Sequence, residues 1–363
     1  MSFFTSSSEP NRRFVIGLSV LVGVPSLLLF ALGIYLQPLY GDLTRLGGYA
    51  ERDFGPNTPQ KKFAAPLYST GAYTRYKDVV VLGDSFSYGW PEHQWQNYLV
   101  ATTGWSIQTV DINVVPLRKL LDSAVYRATP PRLFIYESVE RLFPARIDDG
   151  QTCTPASKVQ VYRPFDAVPR AIAVSNAFLQ ARGRDWRDIK LSFSAKYLSS
   201  ILRRKLMDDS QSIVQKLELS HSGLFSSNDS QALLVYRDDI TMAGDWQQGN
   251  LPTMGCQVER MRRLVEANGK TRFVVMVVPN KLSAYADFVR NPQLRSKSLL
   301  RGFSDQNPGV LIRADRALAS AIRAGEQDVY LPDDTHWSSR GNEIAAHAVL
   351  DFLRSPVLSA AGM

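Results

Sequence analysis

The stretch VVVLGDSF, residues 79–86, carries four apolar residues directly into a glycine, an aspartate and a serine. The apolar run predicts a buried strand, and Gly83 permits a tight turn after it. Ser85 would then begin the next helix, where free backbone N–H groups and the positive helix end favour negative charge. The stretch therefore indicates either a nucleophilic serine or a serine that only caps a turn.

Beyond this stretch, short apolar runs alternate with helical patterns. They predict strands at 79–82, 107–112, 133–141, 272–279 and 328–331, and helices over 117–126, 257–267, 314–324 and 340–353. Apolar strands separated by helices predict an α/β fold with a mostly parallel sheet covered on both faces. Residues 148–252 break this rhythm and predict an inserted lobe.

The N-terminus predicts a membrane helix. No Asp, Glu, Lys, Arg or His occurs in the 23 residues from Phe14 to Leu36, which suffice to cross about 30 Å of hydrocarbon. Arg12 and Arg13 precede this run, so the amino end should remain cytoplasmic. The alternative is a removable signal peptide. We expect a cytoplasmic tail over 1–13, an anchor over 14–36, a linker and irregular segment over 37–77, a catalytic domain over 78–356 and a tail over 357–363.

The composition excludes an intrinsically disordered chain and limits the chemical classes of partner. Of the 363 residues 45% are hydrophobic and 21% charged, and the net charge is +8. This excess suits an anionic lipid surface, nucleic acid or acidic polysaccharide. No zinc-type spacing, phosphate loop or RNA-binding signature is present, so we expect no nucleic acid, metal or cofactor. The two cysteines, Cys153 and Cys256, would form one disulfide in an oxidising compartment only if their sulfurs meet.

A second segment that bears catalytic residue types is LPDDTHWSSRGNEIAA, residues 331–346. Asp334 and His336 lie on the loop after the last predicted strand. A serine hydroxyl needs a base, and an imidazole works best when a carboxylate holds its other nitrogen. Ser85, His336 and Asp334 supply these three roles from two strand ends. The alternative is a capping serine, a surface histidine and a turn aspartate.

The two motifs together carry a family resemblance. GDSF at 83–86 and DTHW at 334–337 resemble the SGNH hydrolase superfamily, and more narrowly the AlgJ/AlgX-type alginate O-acetyltransferases. Here the serine motif comes first, whereas DTHW precedes GDSF in the alginate enzymes, so the order is permuted. The resemblance implies a periplasmic domain at the bacterial inner membrane that acetylates an exported polysaccharide, with acetyl groups supplied by a membrane-bound O-acyltransferase.

Several assignments at the site stay open. The usual SGNH spacing DxxH selects Asp333 as the acid, whereas DTHW selects Asp334, which we prefer. The glycine and asparagine blocks of the SGNH oxyanion hole are not evident, and Asn113 is a weak substitute. Candidate oxyanion or substrate contacts are Asp84, Tyr88, Arg141 and Trp337. An acetylesterase with the same triad and a non-catalytic polysaccharide-binding subunit are the alternatives to a transferase.

Overall fold

The structure, a computed structural model, describes residues 9–37, 39–150, 153, 177–180, 186–206, 212–295 and 298–354. Residues 1–8 and 357–363 of the predicted tails, and residues 154–176 of the predicted lobe, lie outside the described residues. The strands are β1 (Gln60–Phe63), β2 (Ser69–Thr70), β3 (Val79–Gly83), β4 (Ile107–Asp111), β5 (Leu133–Val139), β6 (Ala177–Gln180), β7 (Val214–Glu218), β8 (Ala232–Tyr236) and β9 (Arg272–Val278).

The helices follow in chain order. They are α1 (Glu9–Leu36), α2 (Asp42–Gly47), α3 (Glu51–Phe54), α4 (Ser85–Tyr88), α5 (Trp95–Thr103), α6 (Leu117–Asp122), α7 (Ala124–Ala128), α8 (Phe143–Ile147), α9 (Leu191–Leu206), α10 (Asp238–Thr241), α11 (Leu251–Glu266), α12 (Lys281–Ala284), α13 (Leu300–Gln306), α14 (Ala314–Arg323) and α15 (Ser339–Arg354).

The central sheet has five parallel strands in the order β2-β4-β3-β5-β9. The predicted α/β architecture with a parallel sheet is therefore confirmed. Side chains of β3 alternate, so Val79 and Val81 enter one core while Val80 and Leu82 enter the other. Because β3 is the middle strand, its carboxyl end opens at the centre of the sheet edge where ligands of such folds bind.

Helices cover both faces of the sheet. One core includes Trp95 of α5, Leu318 of α14 and Val349 of α15, and the opposite core includes Val258 of α11 and Phe143 of α8. The predicted helices at 257–267, 314–324 and 340–353 correspond to α11, α14 and α15. The predicted helix at 117–126 is instead two short helices, α6 and α7.

The break between α6 and α7 has a local cause. Ser123 has extended backbone, and its hydroxyl accepts a hydrogen bond from the Tyr126 N–H as the N-cap of α7. A capping serine satisfies a free backbone donor at a helix start, so a new helix begins here.

The strand predicted at 328–331 is wrong. Tyr330 forms only an isolated antiparallel bridge with Trp337. The Leu331 N–H donates to the His336 carbonyl, and the Ser338 N–H donates to the Val329 carbonyl. The segment therefore folds back onto its own loop and does not join the sheet.

The segment 37–77, predicted as a linker followed by irregular surface structure, packs against the domain. Leu43, Tyr49 and Phe54 form a cluster with Val214 and Leu234 of the β7–β8 hairpin. In addition, β1 pairs with β6, and β2 forms one edge of the central sheet. Its apolar residues lack periodicity because their partners are distant in sequence.

The described part of the predicted lobe packs against the rest of the domain and is linked to it by a disulfide. Leu217 and Leu233 of the β7–β8 hairpin enter the core beneath α15. Cys153 and Cys256 form a disulfide with their Cα atoms 5.9 Å apart, which ties the start of the lobe to α11.

The N-terminal helix is long and apolar enough to cross a membrane over Asn11–Leu36. Its side chains are largely exposed, as Phe14 and Leu21 illustrate. A signal sequence near an N-terminus has the same length and composition. The end of the helix is packed, because Leu36 is buried against Ala50 and Phe193.

Candidate active site

Ser85 lies at the first position of α4, directly beyond the end of β3. The Asp84 carboxylate caps this helix by accepting a hydrogen bond from the Phe86 N–H at 3.1 Å. A side chain at Gly83 has no room, since its Cβ would lie 2.5 Å from Glu137 Oε2 and 2.8 Å from Ser87 Cβ. The tight turn that results leaves Ser85 exposed, whereas the neighbouring Asp84 and Phe86 are buried.

The loop that carries His336 is fixed by a buried lysine. The Lys281 ammonium donates to the carbonyls of Leu331 at 2.7 Å, Pro332 at 2.9 Å and Asp334 at 3.1 Å. Burial lowers the pKa of Lys281 to about 8, although the charges of Asp333 and Asp334 oppose this shift. Because Lys281 begins the helix after β9, it ties the loop to the sheet.

The structure brings the three predicted catalytic residues together. His336 Nε2 lies 2.8 Å from Ser85 Oγ, and His336 Nδ1 lies 2.6 Å from Asp334 Oδ1. The His336 backbone N–H also donates to Asp334 Oδ1 at 3.0 Å. These distances suit a nucleophile, a base and a carboxylate that orients the base. It is Asp334 and not Asp333 that contacts the imidazole.

The charges at the site favour a protonated imidazole. Burial lowers the pKa of His336, but the hydrogen bond and charge of Asp334, with the charges of Asp42 and Asp84, outweigh it and raise the pKa. Burial likewise raises the pKa of Asp334, yet its hydrogen bonds and the His336 charge hold it well below its usual value. Asp334 therefore stays ionised beside the histidine.

Asp42 is a residue of this site that the sequence did not indicate. Its carboxylate accepts hydrogen bonds from the Thr335 N–H at 2.9 Å and the Thr335 hydroxyl at 2.7 Å, and its N–H donates to Asp334 Oδ2 at 3.0 Å. Burial and the charge of Asp334 raise the pKa of Asp42 to about 6. The segment after α1 is thus part of the triad's surroundings.

The segment after α1 lies so close to the loop that carries His336 that only glycine fits at position 41. A Cβ at Gly41 would lie 2.1 Å from the Asp333 carbonyl oxygen, and that oxygen accepts hydrogen bonds from the Leu43 and Thr44 N–H groups. Only glycine allows the backbone to approach so near. No motif surrounds Asp42, and it is one acid in a stretch that looks like a linker.

Three of the candidate substrate contacts have other roles. The Asp84 carboxylate holds the turn, since it accepts hydrogen bonds from the Val139 N–H and from Arg146 as well as Phe86. Arg141 forms an ion pair with buried Asp239 at 3.2 Å. Trp337 is buried, with its ring 5.1 Å from that of Phe86. The three side chains therefore have structural contacts of their own, and their contact with substrate stays a prediction.

The fourth candidate, Tyr88, is half-buried at the end of α4, one turn after Ser85. The Ser85 N–H, at the start of that helix, is a backbone donor suited to an oxyanion. Arg146 donates to Asp84 Oδ2, to Ser138 Oγ at 2.8 Å and to Asn113 Oδ1 at 3.0 Å. It thereby places a guanidinium beside Asn113, the weak sequence candidate. No motif marked Arg146.

Aromatic rings surround the imidazole. The Phe86 ring is 4.7 Å from the His336 ring, and the Trp90 ring is 6.1 Å from it. Phe86 is buried, whereas Trp90 is 52% exposed. Trp90 therefore offers a flat apolar surface beside the His336 imidazole, and no sequence motif marks it.

One cluster among the described residues has ligand types suited to a metal. Asp42, Asp334 and His336 place ligand atoms within 4.8 Å of one another. These atoms are already hydrogen-bonded within the cluster or to Thr335. Because these atoms already have hydrogen-bond partners, we assign no metal to the cluster.

Comparison with known proteins agrees with the motifs. Residues 234–362 match the family model described as "SGNH hydrolase-like domain, acetyltransferase AlgX". The match covers about a third of the chain and includes Asp334 and His336 but not Ser85. Neither the curated proteins nor the solved structures gave a match. The resemblance to AlgJ/AlgX-type SGNH acetyltransferases is thereby confirmed, and its match lies in the C-terminal part of the chain.

Proposed function

We propose that this protein is a membrane-anchored O-acetyltransferase that moves acetyl groups onto an exported polysaccharide through an acyl-Ser85 intermediate. The observation that carries the proposal is the 2.8 Å contact between Ser85 Oγ and His336 Nε2, in line with the 2.6 Å contact between His336 Nδ1 and Asp334. The match to an acetyltransferase domain supports acetyl as the transferred group.

In the first half-reaction, Ser85 Oγ bonds to the acetyl carbonyl carbon while its proton passes to His336 Nε2. The donor's leaving group departs with that proton. The Ser85 N–H stabilises the negative oxygen formed on the carbonyl. Asp334 keeps the Nδ1–H in place and stabilises the imidazolium.

In the second half-reaction, His336 Nε2 removes the proton from a sugar hydroxyl, and that oxygen attacks the acyl-serine carbonyl carbon. The Ser85–acetyl bond breaks, and Ser85 recovers the proton from His336. If water replaces the sugar, the same steps release acetate. The acceptor therefore decides between transferase and esterase.

The surface near His336 favours a sugar acceptor. Trp90 is exposed and close to the imidazole, and a broad ring of this kind packs well against the apolar face of a sugar. The net charge of +8 suits an acceptor that contains uronates.

The proposed location is the periplasmic side of a bacterial inner membrane. Arg12 and Arg13 before the apolar run support a cytoplasmic amino end, and the disulfide between Cys153 and Cys256 suits an oxidising compartment. A membrane-bound O-acyltransferase is the proposed acetyl supplier, and an anchor would hold this domain beside it.

The test is a transfer assay with the full-length protein in detergent, using 4-nitrophenyl acetate as donor and uronate oligosaccharides as acceptors. Mass spectrometry should detect acetylated oligosaccharide with the wild type and with Ser222→Ala, a control at an exposed serine in the β7–β8 loop. Ser85→Ala should abolish the product. Free acetate without acetylated sugar would instead assign an esterase.

The non-catalytic alternative predicts a different result. A binding or assembly subunit would leave polymer acetylation in cells unchanged in Ser85→Ala but abolish it when the whole protein is deleted. We expect Ser85→Ala to abolish acetylation in cells at normal protein levels.

A further inference from the structure

Helix α9 packs beside the end of the candidate membrane helix. A Cβ at Gly33 of α1 would lie 2.4 Å from a methyl carbon of Ile189 and 3.1 Å from Ser194 Oγ, and Phe193 is buried against Leu36. Three residues of helix rise about 4.5 Å, so Gly33 is about that far from Leu36 along α1. The first half of α9 therefore lies level with the end of the apolar run.

Helix α9 is also attached to the domain along one face. Arg204 donates to the carbonyls of Gly47 at 2.7 Å and Gly48 at 2.9 Å, and Lys196 donates to the Arg45 carbonyl at 2.7 Å. These contacts fix which face of α9 points away from the protein.

The outward face of α9 is a row of leucines. Leu191, Leu198, Leu202 and Leu206 are 39%, 50%, 58% and 73% exposed. Their spacing of seven, four and four residues places them on one side of the helix. Single exposed leucines are ordinary on a protein surface, but a contiguous row of this kind marks an interaction surface.

Basic side chains lie beside this leucine row. Arg203 and Lys205 are exposed in the last turn of α9. A helix with leucines on one face and Lys or Arg on its flanks is the type that lies in the plane of a lipid surface, with its apolar face among the acyl chains. Cations at this level also attract anionic headgroups.

We propose that α9 lies in the lipid interface with its leucine row inserted between the acyl chains and Arg203 and Lys205 against anionic headgroups. This inference rests on the membrane anchor of the proposed function, because α1 sets the level of α9. The leucine row adds a second membrane contact, so that the domain has a fixed orientation at the membrane surface. Ser85 would then meet its acetyl donor at a constant distance from the membrane.

Spin labelling of the full-length protein in phosphatidylethanolamine–phosphatidylglycerol vesicles tests this surface. The native cysteines are bonded to each other, so a thiol-reactive nitroxide labels only an introduced cysteine. Leu202→Cys probes α9, Val22→Cys probes α1, and Leu264→Cys is a matched control at an exposed leucine of α11. Accessibility to oxygen, which concentrates in lipid, is compared with accessibility to a nickel chelate, which stays in water.

We expect the oxygen-to-nickel ratio of the Leu202 label to be several-fold higher than that of the Leu264 label and lower than that of the Val22 label, which lies deeper in the bilayer. A Leu202 label as accessible to nickel as the control, with Val22 in lipid, would overturn this inference and leave the anchor standing. Low accessibility to both reagents would also overturn it and assign the row to a protein contact. A water-exposed Val22 label would overturn the anchor and this inference together.

Discussion

Replacing Asp42 with asparagine tests whether the segment after α1 takes part in catalysis. Asp42 places a carboxylate oxygen within 4.8 Å of a nitrogen of His336. With an effective dielectric constant of about 20, two unit charges at that distance attract by about 3 kcal/mol. The imidazolium that forms when Ser85 attacks thus loses part of its stabilisation in Asp42→Asn.

The expected loss is smaller than this upper value because His336 retains a partly exposed side chain and Asp334 remains in place. Each 1.36 kcal/mol corresponds to a tenfold change in rate, so we expect kcat at alkaline pH to fall by about 10- to 100-fold. Asp42→Asn also gives the Thr335 N–H and hydroxyl a poorer acceptor, which should lower kcat further.

The pH profile gives an independent readout. The charge of Asp42 raises the pKa of His336, and His336 must be neutral to accept the serine proton. Removing that charge lowers the pKa of His336, so the acid limb of kcat/KM moves to lower pH. The shift should be clearest above pH 6, because the pKa of Asp42 is about 6 and its carboxylate is ionised there.

The assay is hydrolysis of 4-nitrophenyl acetate from pH 5 to pH 9, with thermal unfolding to confirm that each variant is folded. Thr335→Val is the matched control, because it removes a hydroxyl that bonds Asp42 and leaves the charge. It should lower the plateau without moving the acid limb. If Asp42→Asn kept the wild-type plateau and the wild-type acid limb, the role assigned to Asp42 would be refuted.

Three further predictions follow from contacts in the site. Asp334→Asn should lower kcat by about 10⁴-fold, because an amide beside Nδ1 disfavours the tautomer that accepts the serine proton; steady-state kinetics measure this, and a loss under tenfold contradicts it. Gly83→Ala should destabilise the fold by about 1 to 3 kcal/mol, since its Cβ would lie 2.5 Å from Glu137 Oε2. Urea unfolding tests this, with Gly249→Ala, whose Cβ meets nothing within 4 Å, as the control; equal stability of the two variants contradicts it. Trp90→Ala should raise KM for oligosaccharide acceptors by about tenfold while ester hydrolysis persists; an unchanged acceptor KM would exclude Trp90 from the acceptor site.

The parts of the fold that the sequence predicted are those with local signals. The apolar strands β3, β5 and β9 contain runs of Val, Ile and Phe, which reveal burial on both faces without reference to any partner. The helices α11, α14 and α15 have apolar residues at helical spacing, which likewise reveals their buried face without reference to a partner. Each of these elements can be recognised within its own window of sequence.

The elements that were missed depend on distant partners. Leu43 and Phe54 look like scattered apolar residues in a linker until the β7–β8 hairpin is placed against them. The run at 328–331 has the composition of a strand, but the fold-back of Leu331 onto His336 uses hydrogen bonds that a sheet would need. These structures depend on tertiary contacts, which leave no periodic pattern in the sequence.

The candidate site divides in the same way. Ser85, Asp334 and His336 stand in short motifs, so the three residues could be singled out from the sequence. The strand that was expected to bring Asp334 and His336 to the sheet edge does not form, and Lys281 holds their loop there instead. Asp42 and Arg146 reach the site only through the fold, from a short helix after α1 and from α8. Asp84 stands inside the motif, but only the fold shows that its buried carboxylate holds the turn by accepting a hydrogen bond from the Val139 N–H.

The central claim is that Ser85 carries the acetyl group, and intact-protein mass spectrometry after rapid mixing with 4-nitrophenyl acetate tests it most directly. We expect one acetyl group per chain, located on Ser85 by peptide mapping, absent in Ser85→Ala and released when oligosaccharide is added. An acetyl group on a different residue, or undiminished acetylation of sugar by Ser85→Ala, would contradict the account.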